Sequence, residues 1–394
     1  MFSDRTAWNL EPNPLSKALA NRLASGKPVI DLTESNPTKC GFYFEAEQIL
    51  GALSQLASLN YDPAPQGLVP ARNAVANYYR ARNCAVNVND IFLTTSTSEA
   101  YSFVFRTLCN PGDEVLVPQP GYPLFNFLAD IQDVVTAPYP LIYDYGWQID
   151  FHALQRAITP RTRAIIVVNP NNPTGHFCKA DDMDRLNQIC LEGELALIAD
   201  EVFLDFSFGT DILPTFASNN KALTFTMSGL SKISGLPQMK VAWLIATGPE
   251  TIKQKAVARL EMISDTYLSM NTPMQLGLPA LLLELRHNFQ QQCLERARTN
   301  LDHLDKALSA QKLCMRLNLE GGWYAIVKVP VTGTDDDLAL ELLNKRGVYV
   351  HPGHFYDFSA DGYLVVSLIT PEVQFATGMQ ALVALIGEKL RENS

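Results

Sequence analysis

The stretch that decides the fold runs from residue 164 to residue 203 and reads AIIVVNPNNPTGHFCKADDMDRLNQICLEGELALIADEVF. It opens with a short apolar run, continues through a helical pattern at 180–192, and closes with a second apolar run at 195–203. Apolar runs that are continuous rather than alternating are typical of strands covered on both faces. Two such strands separated by a helical length indicate a crossover unit with parallel strand pairing.

The same alternation continues on both sides of this stretch and predicts the rest of a large sheet. A helix is predicted from Ser98 to Cys109, and further strands are predicted at 91–95, 114–118, 223–228 and 241–247. We therefore predict an α/β protein whose large domain is a mostly parallel sheet sandwiched by helices.

The last third of the chain has a different pattern. A long helical pattern from Thr272 to Leu308 is broken at Pro279. Three strands and two helices are predicted after it, at 321–330, 347–353, 362–369, 336–346 and 371–391. This mixture predicts a smaller α+β domain that the N-terminal segment completes. The predicted boundaries are 45–285 for the large domain, and 1–44 together with 286–394 for the small domain.

Composition argues against several classes of protein. The net charge of −10 disfavours a nucleic-acid surface, which needs clustered Lys and Arg. No apolar run approaches the roughly 18 residues of a membrane helix, and residues 1–14 lack the basic start and apolar run of a signal peptide. The seven cysteines are scattered without CxxC spacing, which indicates free thiols in a reducing compartment. We expect a cytoplasmic protein with no membrane or nucleic-acid partner.

Polar segments follow four of the predicted strands, at the edge where ligands of such sheets gather. They are TTSTSEA at 94–100, NPNNPTG at 169–175, ADEV at 199–202 and SGLSK at 228–232. Small residues around Lys232 leave room for a ligand, and a desolvated lysine is a nucleophilic amine suited to a Schiff base. Asp200 ends an apolar run, where a carboxylate is costly without a partner. The pyridine nitrogen of pyridoxal phosphate (PLP) is such a partner.

Each segment also has an ordinary explanation. Lys232 fits a solvated surface lysine, and Asp200 fits a strand-end carboxylate that a loop solvates. Residues 169–175 fit a simple Asn/Pro turn. Residues 94–100 fit a capped helix start, although their free N–H groups and the helix dipole also make an anion cradle.

Together, the order and spacing of these segments resemble the class I/II aminotransferases, which are fold-type I PLP enzymes, from about Leu32 to Ile386. The segment GLSKISGL around Lys232 is similar to the family's lysine signature, and NPNNPTG is similar to its NPxNPTG motif. YDPAPQG at 61–67 resembles the family's Y-x-x-x-x-x-G element, and PGYP at 120–123 matches the position of an aromatic residue that stacks on the cofactor.

The resemblance implies a role for each matching residue. Lys232 carries PLP as the internal aldimine and moves the proton, Asp200 pairs with the pyridine nitrogen, and Asn172 hydrogen-bonds the phenolic oxygen. Tyr122 stacks on the ring. Tyr61 reaches the phosphate of a neighbouring subunit, in a homodimer with shared active sites. The phosphate is surrounded by hydroxyl side chains, namely those of Ser96, Thr97, Ser98 and Ser231.

Three positions depart from the family pattern. Lys240 stands in place of an arginine that clamps the phosphate, so the charge is kept and the bidentate geometry is lost. Phe203 replaces a tyrosine that donates to the phenolic oxygen, so the Lys232 Schiff base is expected to hold its proton to higher pH. Val365 stands where the family has the arginine that binds the substrate α-carboxylate.

The residue at position 365 leaves the substrate open, since no arginine lies between residues 347 and 390. Candidate replacements for binding the acid are Asn172, the amides near Ser35 and Asn36, His354, and Arg5. His351 and His354 lack an evident third ligand, so no metal site is predicted. Without a group that holds a carboxylate in the ring plane, decarboxylation or elimination becomes easier, or the donor is an amine.

The leading prediction is a PLP-dependent aminotransferase that transfers an amino group from an amino acid or amine donor to a keto or aldehyde acceptor. The first alternative keeps the cofactor in a lyase or decarboxylase, and the second is a non-catalytic PLP-binding relative. A nicotinamide dehydrogenase is set aside, because no GxGxxG follows the early strands.

Overall fold

The computed structural model describes residues 1–209, 213–309 and 311–392. The strands are β1 Ile30–Asp31, β2 Ile91–Thr94, β3 Glu114–Gln119, β4 Val135–Tyr143, β5 Trp147–Ile149, β6 Thr162–Val168, β7 Ala196–Asp200, β8 Thr224–Gly229, β9 Ala242–Thr247, β10 Met315–Arg316, β11 Tyr324–Lys328, β12 Val348–Tyr349, β13 His351–Pro352 and β14 Tyr363–Ser367. The α-helices are α1 Pro14–Ala24, α2 Ala46–Leu53, α3 Val69–Arg80, α4 Thr97–Leu108, α5 Leu124–Asp130, α6 Phe151–Ala157, α7 Ala180–Gly193, α8 Leu230–Ile233, α9 Glu250–Tyr267, α10 Thr272–Pro279, α11 Arg286–Ser309, α12 Asp335–Arg346 and α13 Glu372–Glu392.

The largest layer is an eight-stranded sheet in the order β2-β9-β8-β7-β6-β3-β4-β5. The central strands β8, β7, β6, β3 and β4 pair in parallel. Strand β9 is antiparallel to both β2 and β8, and β5 is antiparallel to β4. The predicted mostly parallel sheet is therefore confirmed, with antiparallel pairs at both ends.

Helices cover both faces of this sheet, as the continuous apolar runs predicted. On β7, Ala196 and Ile198 join a core cluster with residues of α4, α5 and α9, while Leu197 and Ala199 join a second cluster with residues of α7 and α11. Successive residues of a strand point to opposite faces, so a strand that is buried on both sides is apolar at nearly every position. Among the described residues, no helix is both long and apolar enough to cross a membrane.

The hairpin formed by β4 and β5 was not predicted from the sequence. Strand β4 carries Pro138 and Pro140, and several of its positions are exposed or half-buried. Proline removes ladder donors and is normally confined to strands near a sheet edge. Strand β4 is the last parallel strand before the edge strand β5, which explains both the prolines and the weak apolar pattern.

The last third of the chain forms a four-stranded antiparallel sheet in the order β10-β11-β14-β13, packed with α12 and α13. The N-terminal segment joins it, because β1 pairs in parallel with β12 and the Ser367 amide donates to the Leu32 carbonyl at 2.6 Å. The predicted helical break appears as α10, a π-helical turn over Ala280–Glu284, and then α11. The boundaries at 45–285 stay a prediction.

Gly235 occupies a position that requires glycine for two reasons. Its φ is +65°, and a Cβ would lie 2.6 Å from the ring of Phe289. Left-handed backbone costs a side-chain-bearing residue about 1–2 kcal/mol, and overpacking costs about 1–3 kcal/mol. We expect Gly235→Ala to lower the free energy of unfolding by about 2–5 kcal/mol, measured by chemical denaturation.

The matched control for this substitution is Gly51→Ala. Gly51 lies inside α2, and a Cβ there would meet nothing within 4 Å. Alanine in a helix is more favourable than glycine by about 0.5–1 kcal/mol, so the control is expected to be neutral or stabilising. Equal unfolding midpoints for the two variants would contradict the packing argument at Gly235.

Candidate active site

A cavity of about 560 Å³ lies at the carboxyl ends of the central strands of the large sheet. Strand β7 ends at Asp200, the turn after β6 carries Asn172, and Lys232 follows β8 on the short helix α8. The smaller sheet contributes Tyr324 from β11 and His351 from β13 to the opposite wall. Segments that are far apart in sequence therefore meet at one site.

Most of the predicted site residues line this cavity. The residues that do so are Ser35, Ser96, Thr97, Ser98, Tyr122, Asn172, Asp200, Phe203, Ser231, Lys232 and Lys240. Their roles toward a cofactor remain predictions.

Three of the predicted residues from the first part of the chain lie elsewhere. Tyr61 is 70% exposed and does not line the cavity. The Asn36 amide donates to Glu34 Oε1 at 2.9 Å, and the Asn36 side chain accepts a hydrogen bond from the Thr38 amide at the start of a 3-10 turn. Arg5 forms a bidentate ion pair with Asp133 on the surface, so it is not available to a substrate in the cavity of its own chain.

The two histidines considered as a metal pair do not converge. His354 is exposed, and its Nδ1 lies 2.7 Å from an Asp336 carboxylate oxygen. His351 lines the cavity and stacks on Phe355, with ring centroids 4.2 Å apart. Burial lowers the pKa of His351 to about 4, so its imidazole is neutral at physiological pH.

Lys232 sits in an aromatic enclosure. Its Nζ lies 4.9 Å from the centroid of the Trp323 ring and 5.5 Å from that of Phe203. Burial lowers the pKa of Lys232 to about 8, because the apolar surroundings disfavour the ammonium form. Near neutral pH a much larger fraction of this amine is therefore uncharged than in an ordinary lysine, which makes it a better nucleophile.

Asp200 is buried at the end of β7. Its Oδ1 accepts the Val202 amide at 3.1 Å, and its Oδ2 accepts the Tyr101 hydroxyl at 3.2 Å. Burial nevertheless raises the pKa of Asp200 to about 6, because these two hydrogen bonds do not replace full hydration. A cationic partner in the cavity would lower this pKa again and so stabilise the ionised form.

Asn172 is held in the turn NPNNPTG with its side chain buried against the cavity. Its Oδ1 has no hydrogen-bond partner among the described residues. In the same turn, Asn171 Oδ1 accepts the Thr174 hydroxyl at 2.9 Å and so closes the loop. Buried polar atoms are normally paired, so a free amide oxygen at a cavity wall indicates a site for a polar ligand.

Hydroxyl groups and one ammonium group cluster at the end of the cavity formed by β2, β9 and β8. Ala242 of β9 pairs with Thr94 of β2 and with Gly229 of β8. Segment 96–98 follows β2, Ser231 follows β8, and Lys240 precedes β9, so these groups gather around one point of the sheet. Ser96 caps α4 by accepting the Glu99 amide at 3.1 Å, and the next N–H groups of the helix are oriented for an anion.

Aromatic residues that the sequence analysis did not single out complete the opposite wall. Tyr324, Phe355 and Tyr356 line the cavity, and Trp323 packs behind them against Phe203 at 5.3 Å. Trp323 and Tyr324 are adjacent at the start of a predicted strand, where successive residues face opposite sides. The pair therefore indicated that one of the two aromatic side chains would face a cavity or an interface. The partner strand could not be identified from the sequence alone.

Val365 lies at the centre of β14, opposite Ile326 of β11 and His351 of β13. Its side chain is fully buried in the core cluster that contains Phe203, and it does not line the cavity. The predicted substrate contact at this position is therefore wrong for the chain as folded, because Val365 serves as core packing behind the cavity wall.

The fold is that of the fold-type I aminotransferases. The structure is similar to an alanine aminotransferase from Pyrococcus furiosus, with a TM-score of 0.90 at 23% identity, covering 98% of this chain and all of that one. The chain belongs to the aminotransferase class I and II family, whose model matches residues 27–375. The predicted enzyme class, a PLP-dependent aminotransferase, is thereby confirmed.

Curated relatives carry several substrate names. A glutamate–pyruvate aminotransferase of Haemophilus influenzae is 28% identical over 271 residues, which is 68% of this chain and 67% of the relative. The tyrosine aminotransferase of Mus musculus is 24% identical over 392 residues, which is 94% of this chain and 86% of the relative. The relatives agree on amino-group transfer and differ in the donor.

The buried carboxylate makes a testable contribution to stability. Asp200→Asn keeps the side-chain shape and removes the charge. Because the pKa of Asp200 is raised from its ordinary 3.8 to about 6, ionisation costs the folded protein stability as pH rises through this range. Without added cofactor, the free energy of unfolding of the variant is expected to rise relative to that of the parent by up to about 3 kcal/mol between pH 4 and pH 7.

Chemical denaturation of both proteins across that pH range measures the difference between their free energies of unfolding. A gap that does not change with pH would contradict the raised pKa. The same variant is expected to gain less thermal stability than the parent when PLP is added, because the partner of the pyridine nitrogen is neutral.

Proposed function

We propose that this chain holds PLP in the cavity through Lys232 and transfers an amino group from a small-molecule donor to a keto or aldehyde acceptor. The observation that carries the proposal is the placement of Lys232 and Asp200 in one cavity with opposite pKa shifts. A lysine that is partly neutral and a carboxylate that lacks a cation are the two groups that PLP chemistry requires.

The other residues of the cavity fit the same cofactor. The hydroxyls of Ser96 to Ser98 and Ser231, with the Lys240 ammonium group, suit a phosphate. The amide of Asn172 lines the cavity, and its Nδ2 would donate to the phenolic oxygen. Tyr122 offers an aromatic face for the ring. Phe203 offers no hydroxyl, so the phenolic oxygen would have one donor fewer than in the family pattern.

When bound, PLP supplies an electrophilic carbon and an electron sink for the bond being broken. The chain's own residues do the remaining work. Lys232 Nζ would hold the cofactor and, when free of it, would accept a proton from the amino-bearing carbon of the donor. Asp200 stays ionised opposite the pyridine nitrogen and keeps that nitrogen protonated. The rings of Trp323 and Phe203 lie beside Lys232 Nζ and make its surroundings less polar.

We also propose a cytoplasmic homodimer with shared active sites. Tyr61 is exposed on the surface, where a second subunit could receive it, and the resemblance to the family assigns it to the neighbour's phosphate. The seven free thiols support a reducing compartment.

The attachment residue can be tested by trapping. Protein incubated with PLP and reduced with borohydride is expected to carry the cofactor on Lys232, because a Schiff base is reduced to a stable amine. Lys232→Ala is expected to carry none, while Lys221→Ala, which removes an exposed lysine paired with Asp184, keeps full labelling. Mass spectrometry of the digested protein reads the site, and labelling of another lysine would contradict the assignment.

Sharing of sites can be tested by complementation. Lys232→Ala and Tyr61→Ala each damage both sites of a homodimer. A mixed dimer, co-expressed with two different affinity tags, is expected to regain one intact site and so about half of the wild-type activity. Activity no higher than that of either parent variant would place Tyr61 outside the partner's site.

A further inference from the structure

The cavity has two ends that differ in charge. The sheet end holds the hydroxyl groups of residues 96–98 and Ser231, the Lys240 ammonium group, and Lys232. These groups surround the start of β9, as the pairing of Ala242 with its two neighbouring strands requires. In the proposed function, the cofactor phosphate and the Schiff base occupy both cations of the cavity.

The opposite end is neutral and largely aromatic. Its wall comes from the smaller sheet and adjoining loops and consists of Ser35, Tyr324, His351, Phe355 and Tyr356. Burial raises the pKa of Tyr324 to about 12 and lowers that of His351 to about 4, so both side chains are uncharged between these limits. Their hydroxyl and ring nitrogen atoms can accept or donate hydrogen bonds, but they carry no charge.

No arginine of the described chain lines this end, and the nearby arginine Arg296 is engaged elsewhere. Its guanidinium group donates to the Cys40 carbonyl at 3.1 Å, pairs with Glu372 at 3.3 Å, and lies 5.2 Å from the Phe42 ring. Position 365, at the centre of β14, holds a valine buried in the core. Transferring a carboxylate from water to an aromatic wall without a cation is costly.

We propose that the amino donor of this enzyme is a primary amine without a carboxylate on its amino-bearing carbon, and that its body is apolar and of aromatic size. The inference rests on the proposed function, because the cofactor must occupy the cationic end. The aromatic end then accepts the body of the amine by stacking and edge contacts. Ser35 and His351 can hydrogen-bond a neutral polar substituent.

The reaction balances as an ordinary amino transfer. The C–N bond of the donor amine breaks, and its carbon is oxidised to an aldehyde or ketone whose oxygen comes from water. The amino group and two reducing equivalents pass to the acceptor, whose carbonyl carbon is reduced to an amine and whose oxygen leaves as water. The proton on the donor carbon moves by way of Lys232 Nζ.

Two matched donors test the inference. 2-Phenylethylamine and L-phenylalanine differ only in the carboxylate. Full-length protein loaded with PLP is mixed with each, and absorbance reports conversion of the cofactor to its aminated form. We expect kcat/KM for the amine to exceed that for the amino acid by about tenfold or more, because no charged side chain among the described residues of this chain lines the aromatic end.

A binding measurement tests the same point without turnover. 3-Phenylpropanol and 3-phenylpropanoate carry no amino group and cannot react, so calorimetry on the PLP-loaded protein compares their dissociation constants directly. We expect the alcohol to bind more tightly than the carboxylate, with little dependence on salt. A carboxylate that binds more tightly, and whose affinity falls as salt is added, would reveal a cationic site and overturn the inference.

The outcomes separate this inference from the proposed function. If L-phenylalanine converts the cofactor at least as well as the amine, the substrate class is wrong and the aminotransferase stands. If PLP binds without labelling Lys232, the proposed function fails. If Lys232 is labelled but neither donor converts the cofactor, the inferred aromatic amine donor is overturned. The binding comparison still decides the charge of the cavity end in that case.

Discussion

The constraint on which the site depends is the burial of two adjacent carboxyl groups at the end of a central strand. Asp200 faces the cavity, and Glu201 faces the protein interior, where burial raises its pKa to about 7. Glu201 accepts the Phe216 amide at 2.8 Å, the Thr215 hydroxyl at 2.5 Å and the Asn169 amide group at 3.3 Å. A buried network of this kind is stable only when its members are satisfied, so it fixes the turn that follows β6 and residues 215–216 of the segment before β8.

Further hydrogen bonds connect this network to the segments that carry the site residues. The Asn169 backbone N–H donates to the Asp200 carbonyl at 2.8 Å, and the Ser228 hydroxyl donates to the Glu201 carbonyl at 3.1 Å. The turn that carries Asn172 and the helix that carries Lys232 are therefore anchored to the same strand end. Rigid elements rather than free loops place the two groups that the proposed chemistry requires.

The fold and half of the site could be predicted because their signals are local. Strands buried on both faces leave continuous apolar runs, and the motifs around Asn172, Asp200 and Lys232 lie directly at their ends. The opposite wall could not be predicted, because Tyr324 and His351 come from short strands and Tyr356 from a 3-10 turn, and tertiary packing sets the partners of all three.

Residue roles near the C-terminus were harder to predict for the same reason. Sequence spacing identified Val365 as a departure from the arginine of the family pattern. Only the register of β14 against β11 places that side chain in the core. His354 was an equally good candidate on the sequence, and a surface contact with Asp336 rather than its spacing removes it from the cavity. The hairpin of β4 and β5 was missed because its prolines and exposed positions weaken the strand pattern.

The position of Trp323 gives the protein an internal optical reporter. Its indole is fully buried, its Nε1 has no hydrogen-bond partner among the described residues, and its ring lies 4.9 Å from Lys232 Nζ. A chromophore attached to Lys232 would lie within contact range of this indole and quench its emission by energy transfer. Events at the lysine can therefore be followed by the protein's own fluorescence, with no label introduced.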